Sequence, residues 1–240
     1  MFWKEPTGLK TLSKSSKIAV TAFLIIAGIG YLLGFANIVL SYSPVDQEPG
    51  MSIRDIQISF YGARDKTALE GSIDGTMKEY FSSEADYQAT KNWLAEGATE
   101  EGFAEIAPIF EVSCNICHST DAEVAGVVTE TYADLEPFLA QDTGKSISRL
   151  VSLSHTHVLA TLPVVFLLVF IFSFTKFKEN LKIGVVTLSF VAIILDVGTW
   201  WLAKLSAAAA PLVIVGGVSL AVSFALLVLL SLYEMWVKKA

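Results

Sequence analysis

Four stretches of this chain stay apolar for longer than the core helices of a soluble domain require, and one long polar stretch separates the first from the other three. Ile18 to Leu40 is a run of 23 residues without a charge. A helix needs about 20 such residues to cross a bilayer core. Further apolar runs occupy residues 158–175, 183–203 and 209–232, with Pro163 expected to kink the first of these. Residues 41–150 have a different texture, with short apolar patches broken by Gly62, Gly71, Gly75, Gly97 and Gly102. Within them Ser83 with Asp86, Thr99 ahead of Phe103, Ile106 and Phe110, and Thr131 with Asp134 each read as a helix start. Ile53, Ile56, Ile58 and Phe60 suggest a short extended stretch. The predicted fold is all-α, with four transmembrane helices and a mainly helical insert between spans 1 and 2. Its divisions are residues 1–17 (a terminal segment), 18–40 (span 1), 41–150 (the insert) and 151–240 (the other three spans).

Composition agrees with membrane spans: 53% of residues are hydrophobic, 17% are charged, and mean hydropathy is +0.55. Charge then orients them. Lys4, Lys10, Lys14 and Lys17 precede the first run, Lys176, Lys178 and Lys182 lie between the second and third, and Lys238 and Lys239 follow the fourth. By the positive-inside rule these segments and both termini face the cytoplasm, and the insert lies outside. Lys204, on the outer turn, dissents mildly. The first run is longer than a signal-peptide core, and no clean A-x-A site follows it, so it reads as an uncleaved signal anchor. Gly30 and Gly34 form a GxxxG pair that is common by chance in apolar helices. The insert holds 20 Asp/Glu against 7 Lys/Arg, whereas the rest of the chain holds 4 against 10. No basic patch suits nucleic acid, and the acidic insert suits a basic soluble partner.

The two cysteines stand in Cys114-Asn115-Ile116-Cys117-His118. Thiols one helical turn apart can reach the two vinyl groups of a porphyrin, and the adjacent histidine can ligate its iron. Two rivals use only the cysteine pair: a thiol redox site, and a zinc site completed by His155 and His157. The segment Ile106 to His118 resembles the haem-binding start of class I cytochrome c domains, a resemblance that covers roughly residues 93–138. It implies one covalently attached haem c, carried by Cys114 and Cys117 with His118 as proximal ligand, in a cytochrome c-like insert. Class I proteins place a methionine ligand downstream, but here the next methionine after the motif is Met235. Candidates for a sixth ligand are then His155, His157, Met77 or Met51, or the position is open. A histidine would give a lower potential than a methionine. The resemblance also implies a bacterial cytoplasmic membrane with the insert in the periplasm.

Asp196 lies inside the third apolar run, where an ionisable residue marks a candidate site. His157 precedes the hairpin near residue 178 by about 21 residues and Asp196 follows it by about 18, which at about 1.5 Å per residue puts both at nearly the same depth. Trp200 matches His155 similarly, and Thr199 and Trp201 lie beside it. A carboxylate beside an imidazole can accept protons and flanking indoles can hold a flat ring, as a quinol-oxidising pocket requires. The rival role for Asp196 is to orient a histidine ligand. The expected function is membrane-bound one-electron transfer, by a subunit of a respiratory or redox complex rather than a stand-alone enzyme. Its expected partners are the lipid bilayer, other membrane or periplasmic electron-transfer proteins and, as a candidate donor, quinol. The alternative is a haem-based sensor or structural subunit.

Overall fold

The computed structural model describes residues 8–43, 45–46, 48–122 and 126–238. Lys4 and Lys239, used above for orientation, lie outside the described residues. Among the described residues there are nine α-helices and no strand: α1 Lys14–Tyr42, α2 Ile53–Phe60, α3 Ala68–Asp74, α4 Glu84–Ala95, α5 Glu100–Ser113, α6 Tyr132–Leu135, α7 Ile147–Ser173, α8 Glu179–Leu205 and α9 Ala210–Trp236. An isolated bridge between Thr67 and Gln141 is the β-type pairing among them. The all-helical expectation is met. The chain divides into two compact units, residues 1–40 with 146–240, and residues 41–145.

The first unit contains four helices long and apolar enough to cross a membrane. In a bilayer such segments must satisfy every backbone group internally, which a helix does. Helices α1 and α8 extend beyond their apolar runs at both ends, α9 continues to Trp236, and α7 starts early, at Ile147, capped by the Ser146 side chain. Its first eleven residues are polar enough to hide from a hydropathy reading, so His155 and His157 stand inside the helix rather than at its start. Leu168, Phe172 and Leu227 are fully buried among α7, α8 and α9. Helices α8 and α9 approach closely at Gly216, where a Cβ would come within 2.8 Å of the Asp196 Cα. A side chain there would force the helices apart.

Helix α1 joins this unit through one flank. Leu24 is fully buried, Tyr31 stacks on Phe224 with ring centroids 4.7 Å apart, and Trp236 Nε1 donates to Thr21 Oγ1 at 3.0 Å. Val20, Phe23 and Ala27 also pack on the core, whereas Ile26, Leu32 and Leu33 are exposed on the outside of the unit. The positions where Gly30 and Gly34 would carry side chains have no described atom within 4 Å. At the lysine-rich end a single buried carboxylate gathers three segments. Glu234 accepts the Leu9 amide at 3.2 Å and the Lys176 amide at 2.7 Å, and the Lys238 ammonium lies 3.6 Å away.

The second unit is a small helical domain around an aromatic core. Trp93, Phe103 and Phe110 pack with centroid separations of 5.5–6.4 Å, and the Trp93 indole donates to the Thr99 carbonyl at 3.0 Å. Ser83, Thr99 and Thr131 each cap a helix through their hydroxyls, at the starts read from sequence. The extended stretch expected at residues 53–60 is instead α2. Ser52 and Asp55 form a capping box there, and Ile56 and Phe60 are buried four residues apart on one face. Asp74, nearly buried, binds Lys66, Lys91 (2.9 Å) and the Tyr87 hydroxyl (2.8 Å). Burial raises its pKa, but the bonds from Lys66, Lys91 and Tyr87 outweigh burial and hold the carboxyl below its ordinary value. Gly62 turns the chain with φ +96°, and a Cβ there would fall on the backbone of residues 142–144.

Candidate functional site

The polar constellation of the membrane unit is assembled by α7, α8 and α9. Spacing along the α7–α8 hairpin puts His157 and Asp196 at one depth, and their side chains meet: His157 Nε2 stands 3.0 Å from Asp196 Oδ2. The pair is close but poorly aligned, because no atom lies in hydrogen-bond geometry with the buried Nε2. We therefore read it as an electrostatic contact rather than a directed bond. Trp200 follows Asp196 by one helical turn and meets the His157 ring edge-on at 5.0 Å. Thr199 donates its hydroxyl to the Asp196 carbonyl at 2.9 Å.

Exposure separates the two members of the pair. The Asp196 side chain is 10% exposed and the His157 side chain 36%. The carboxylate is turned into the helix interface, where the other oxygen, Oδ1, would lie 3.7 Å from a side chain at position 217. The imidazole is open to the outside of the unit. With Nε2 turned toward the carboxylate, Nδ1 is the nitrogen left for a ligand. A carboxylate this deep is costly in hydrocarbon unless a partner offsets it. His157 is that partner. His155, two residues earlier, is exposed.

The cysteine motif lies in the other unit. Helix α5 ends at Ser113, and Cys114 is its C-cap. The motif itself is a turn: the Cys117 amide donates to the Cys114 carbonyl at 3.1 Å, and the His118 amide to the same oxygen at 2.9 Å. Residues 127–129 brace it. His118 Nδ1 lies 3.3 Å from the Val127 carbonyl, and Thr129 bonds the Asn115 side chain at 2.8 Å. The Cys114 thiol is half-buried against the aromatic core, and burial pushes its pKa up to about 11. Cys117 is exposed.

The expectation of a haem c is corrected here. Among the described residues no group of three or more His, Cys, Asp or Glu side chains comes together to hold a metal ion, and the zinc alternative fails on the same finding. The physical reason is that Cys-x-x-Cys-His spacing fixes reach along the backbone, not convergence of side chains. The helix that should have carried the motif stops one residue before it, and one thiol packs inward while the other faces out. His157, a candidate sixth ligand, has Asp196 as its neighbour. Met77 precedes a short 3₁₀ turn at Lys78–Tyr80, half-buried.

Sequence reasoning missed three features. Gly216, which lets α9 reach Asp196, is one of many glycines in an apolar run. The bond from Trp201 Nε1 to Ser154 Oγ, 3.1 Å long, joins α7 to α8 one turn from His157; the hairpin register that pairs His157 with Asp196 would also have found it. The Asp74 cluster joins residues 66, 74, 87 and 91, whose spacing gives no signal.

With four membrane-length helices and a buried charge at their interface, the chain is a multi-pass membrane protein. A family model described as a transmembrane helical domain matches residues 129–240, the segment holding α7, α8 and α9. No curated protein and no solved structure matches the chain.

Proposed function

We propose that this protein is the quinol-handling subunit of a membrane redox complex, with the candidate quinol site at His157, Asp196 and Trp200. A single observation carries the reading: a nearly buried carboxylate 3.0 Å from an imidazole that remains one-third exposed. A quinol dissolved in the bilayer meets the imidazole first. His157 Nδ1 can take a hydroxyl proton, and the imidazolium that results is stabilised by Asp196 through Nε2. The Trp200 indole supplies a flat apolar wall. The imidazolium passes its proton to outside water before His157 takes the second hydroxyl proton, and the two electrons go to an electron-transfer partner, so the chain is a subunit of an electron-transfer complex rather than a complete enzyme. Lys176, Lys178 and Lys182 favour a cytoplasmic α7–α8 loop, which puts residues 41–145 on the outer, periplasmic side of a bacterial cytoplasmic membrane.

The test is binding of a short-chain ubiquinol or menaquinol analogue to the full-length protein in nanodiscs, followed by tryptophan quenching. The parent is expected to show saturable quenching that Trp200→Phe diminishes. His157→Ala and Asp196→Asn should each weaken binding about tenfold or more, as loss of a hydrogen bond to a charged group does. Equal affinity in parent and variants refutes the reading and leaves the pair as a structural tie between α7 and α8.

A further inference from the structure

We propose that the turn at Cys114–Cys117 is a thiol–disulfide exchange site, in which exposed Cys117 attacks and half-buried Cys114 resolves. This stands apart from the quinol reading, because it uses residues of the other unit and needs no lipid-soluble ligand. Several observations converge on it. The two thiols are free. The hydrogen bond from the Cys117 amide to the Cys114 carbonyl closes a four-residue turn, which holds the end Cα atoms within about 7 Å. That is close to the span of a disulfide, about 4.4–6.8 Å between Cα atoms. The turn is held from both sides, by the Asn115 amide on the Phe110 carbonyl and by the Thr129 amide on the His118 carbonyl, each at 2.8 Å. The backbone turn already brings the two residues together, and oxidation requires the inward Cys114 and outward Cys117 side chains to turn toward one another.

The two sulfurs differ in the way that exchange requires. Cys117 is open to an incoming molecule, whereas Cys114 is packed against Phe110 and its neighbours. Burial pushes the Cys114 thiol from 9.0 up to about 11, so at neutral pH about a hundredfold less of it is thiolate. It is a poor first attacker and serves as the second, once a mixed disulfide is held beside it. Val112 and Ile116 are 54% and 71% exposed, an apolar rim on which a disulfide-bearing partner can rest. The co-reactant is a disulfide, R–S–S–R′. The Cys117 thiolate attacks one sulfur, forms Cys117–S–S–R and releases R′–S⁻, which takes up the proton Cys117 lost. Cys114 then loses its proton and attacks the Cys117 sulfur, the bond to R breaks, and R–SH leaves. The chain loses two electrons and two protons, and the co-reactant gains both as two thiols.

The experiment uses the full-length protein in detergent or nanodiscs, with glutathione disulfide as the probe, acid quenching, alkylation and intact-mass analysis. The reduced parent should take two alkyl groups. After oxidation it should take none, at a mass lower by two hydrogens. Cys114→Ser should accumulate a glutathione adduct on Cys117, and Cys117→Ser should form its adduct at least tenfold more slowly. The reading is overturned if the oxidised parent still takes two alkyl groups, if the two serine variants react at the same rate, or if the isolated protein carries a covalent group on either cysteine. Alkylation of the parent alone decides the first point, whether or not the variants fold.

Discussion

Replacing Asp74 with asparagine keeps the side chain's shape and removes the charge at the centre of the second unit's polar cluster. The parent carboxylate is 6% exposed, and the two lysines that bind it are 32% (Lys66) and 25% (Lys91) exposed. In Asp74→Asn one of the two acceptor oxygens becomes an amide donor facing an ammonium donor. Removing one member of a fully buried ion pair costs about 3–5 kcal/mol. Here Lys66 can turn to water, and Lys91 keeps Glu70 at 2.8 Å, so the expected loss is smaller, about 2–3 kcal/mol. That is roughly a 30- to 150-fold rise in the population of the opened domain. The assay is amide hydrogen exchange on the full-length protein in nanodiscs, read at α3 and α4, where protection should fall by that factor while α8 and α9 keep theirs. The loss should also depend on pH. The Asp74 pKa is lower in the folded than in the unfolded chain, so its stabilisation is complete above the ordinary carboxyl value of 3.8 and disappears as pH falls through the folded value. Acid should therefore narrow the gap between parent and variant. A change of less than about threefold at neutral pH, or a gap that widens in acid, refutes the reasoning.

Other substitutions probe separate parts of the molecule. Gly216→Ala should lower the thermal stability of the membrane unit by about 1–3 kcal/mol through overpacking. Gly217→Ala should be tolerated, because its Cβ would meet Asp196 Oδ1 at an ordinary 3.7 Å. Gly62→Ala combines a left-handed φ with a clash against residues 142–144 and should cost more than about 3 kcal/mol, read as lost exchange protection throughout residues 48–122. Thr99→Ala should cost about 1 kcal/mol by removing the α5 cap, and Thr99→Ser should restore most of it, both measured by chemical denaturation.

The spans were legible because twenty or so uncharged residues have few other uses, and the helix starts at Ser83, Thr99 and Thr131 because a capping hydroxyl is a local signal. Residues 53–60 alternate like a strand at Ile56, Ile58 and Phe60, yet the Ser52–Asp55 capping box starts a helix there and decides the local structure. The meeting of His157 and Asp196 was visible as a count of residues along a hairpin. What the count could not supply was which oxygen faces which nitrogen, or that Gly216 makes room for the pair. The cysteine motif misled for a related reason. A five-residue spacing is read along the chain, and whether a helix runs through it or stops short is decided by packing around Phe110 and the brace at residues 127–129.

The carboxylate of Glu234 has a consequence for the order in which the molecule is made. The amide of Leu9 emerges early in synthesis, yet the acceptor it uses lies 225 residues later, and the Lys176 amide also waits for it, across 58 residues. No earlier stage of translation can close this end of the bundle, so the first three spans enter the membrane with two backbone donors unmatched there. The final helix acts as a latch, and a chain stopped before residue 234 would keep its hydrophobic segments but leave that end unfastened.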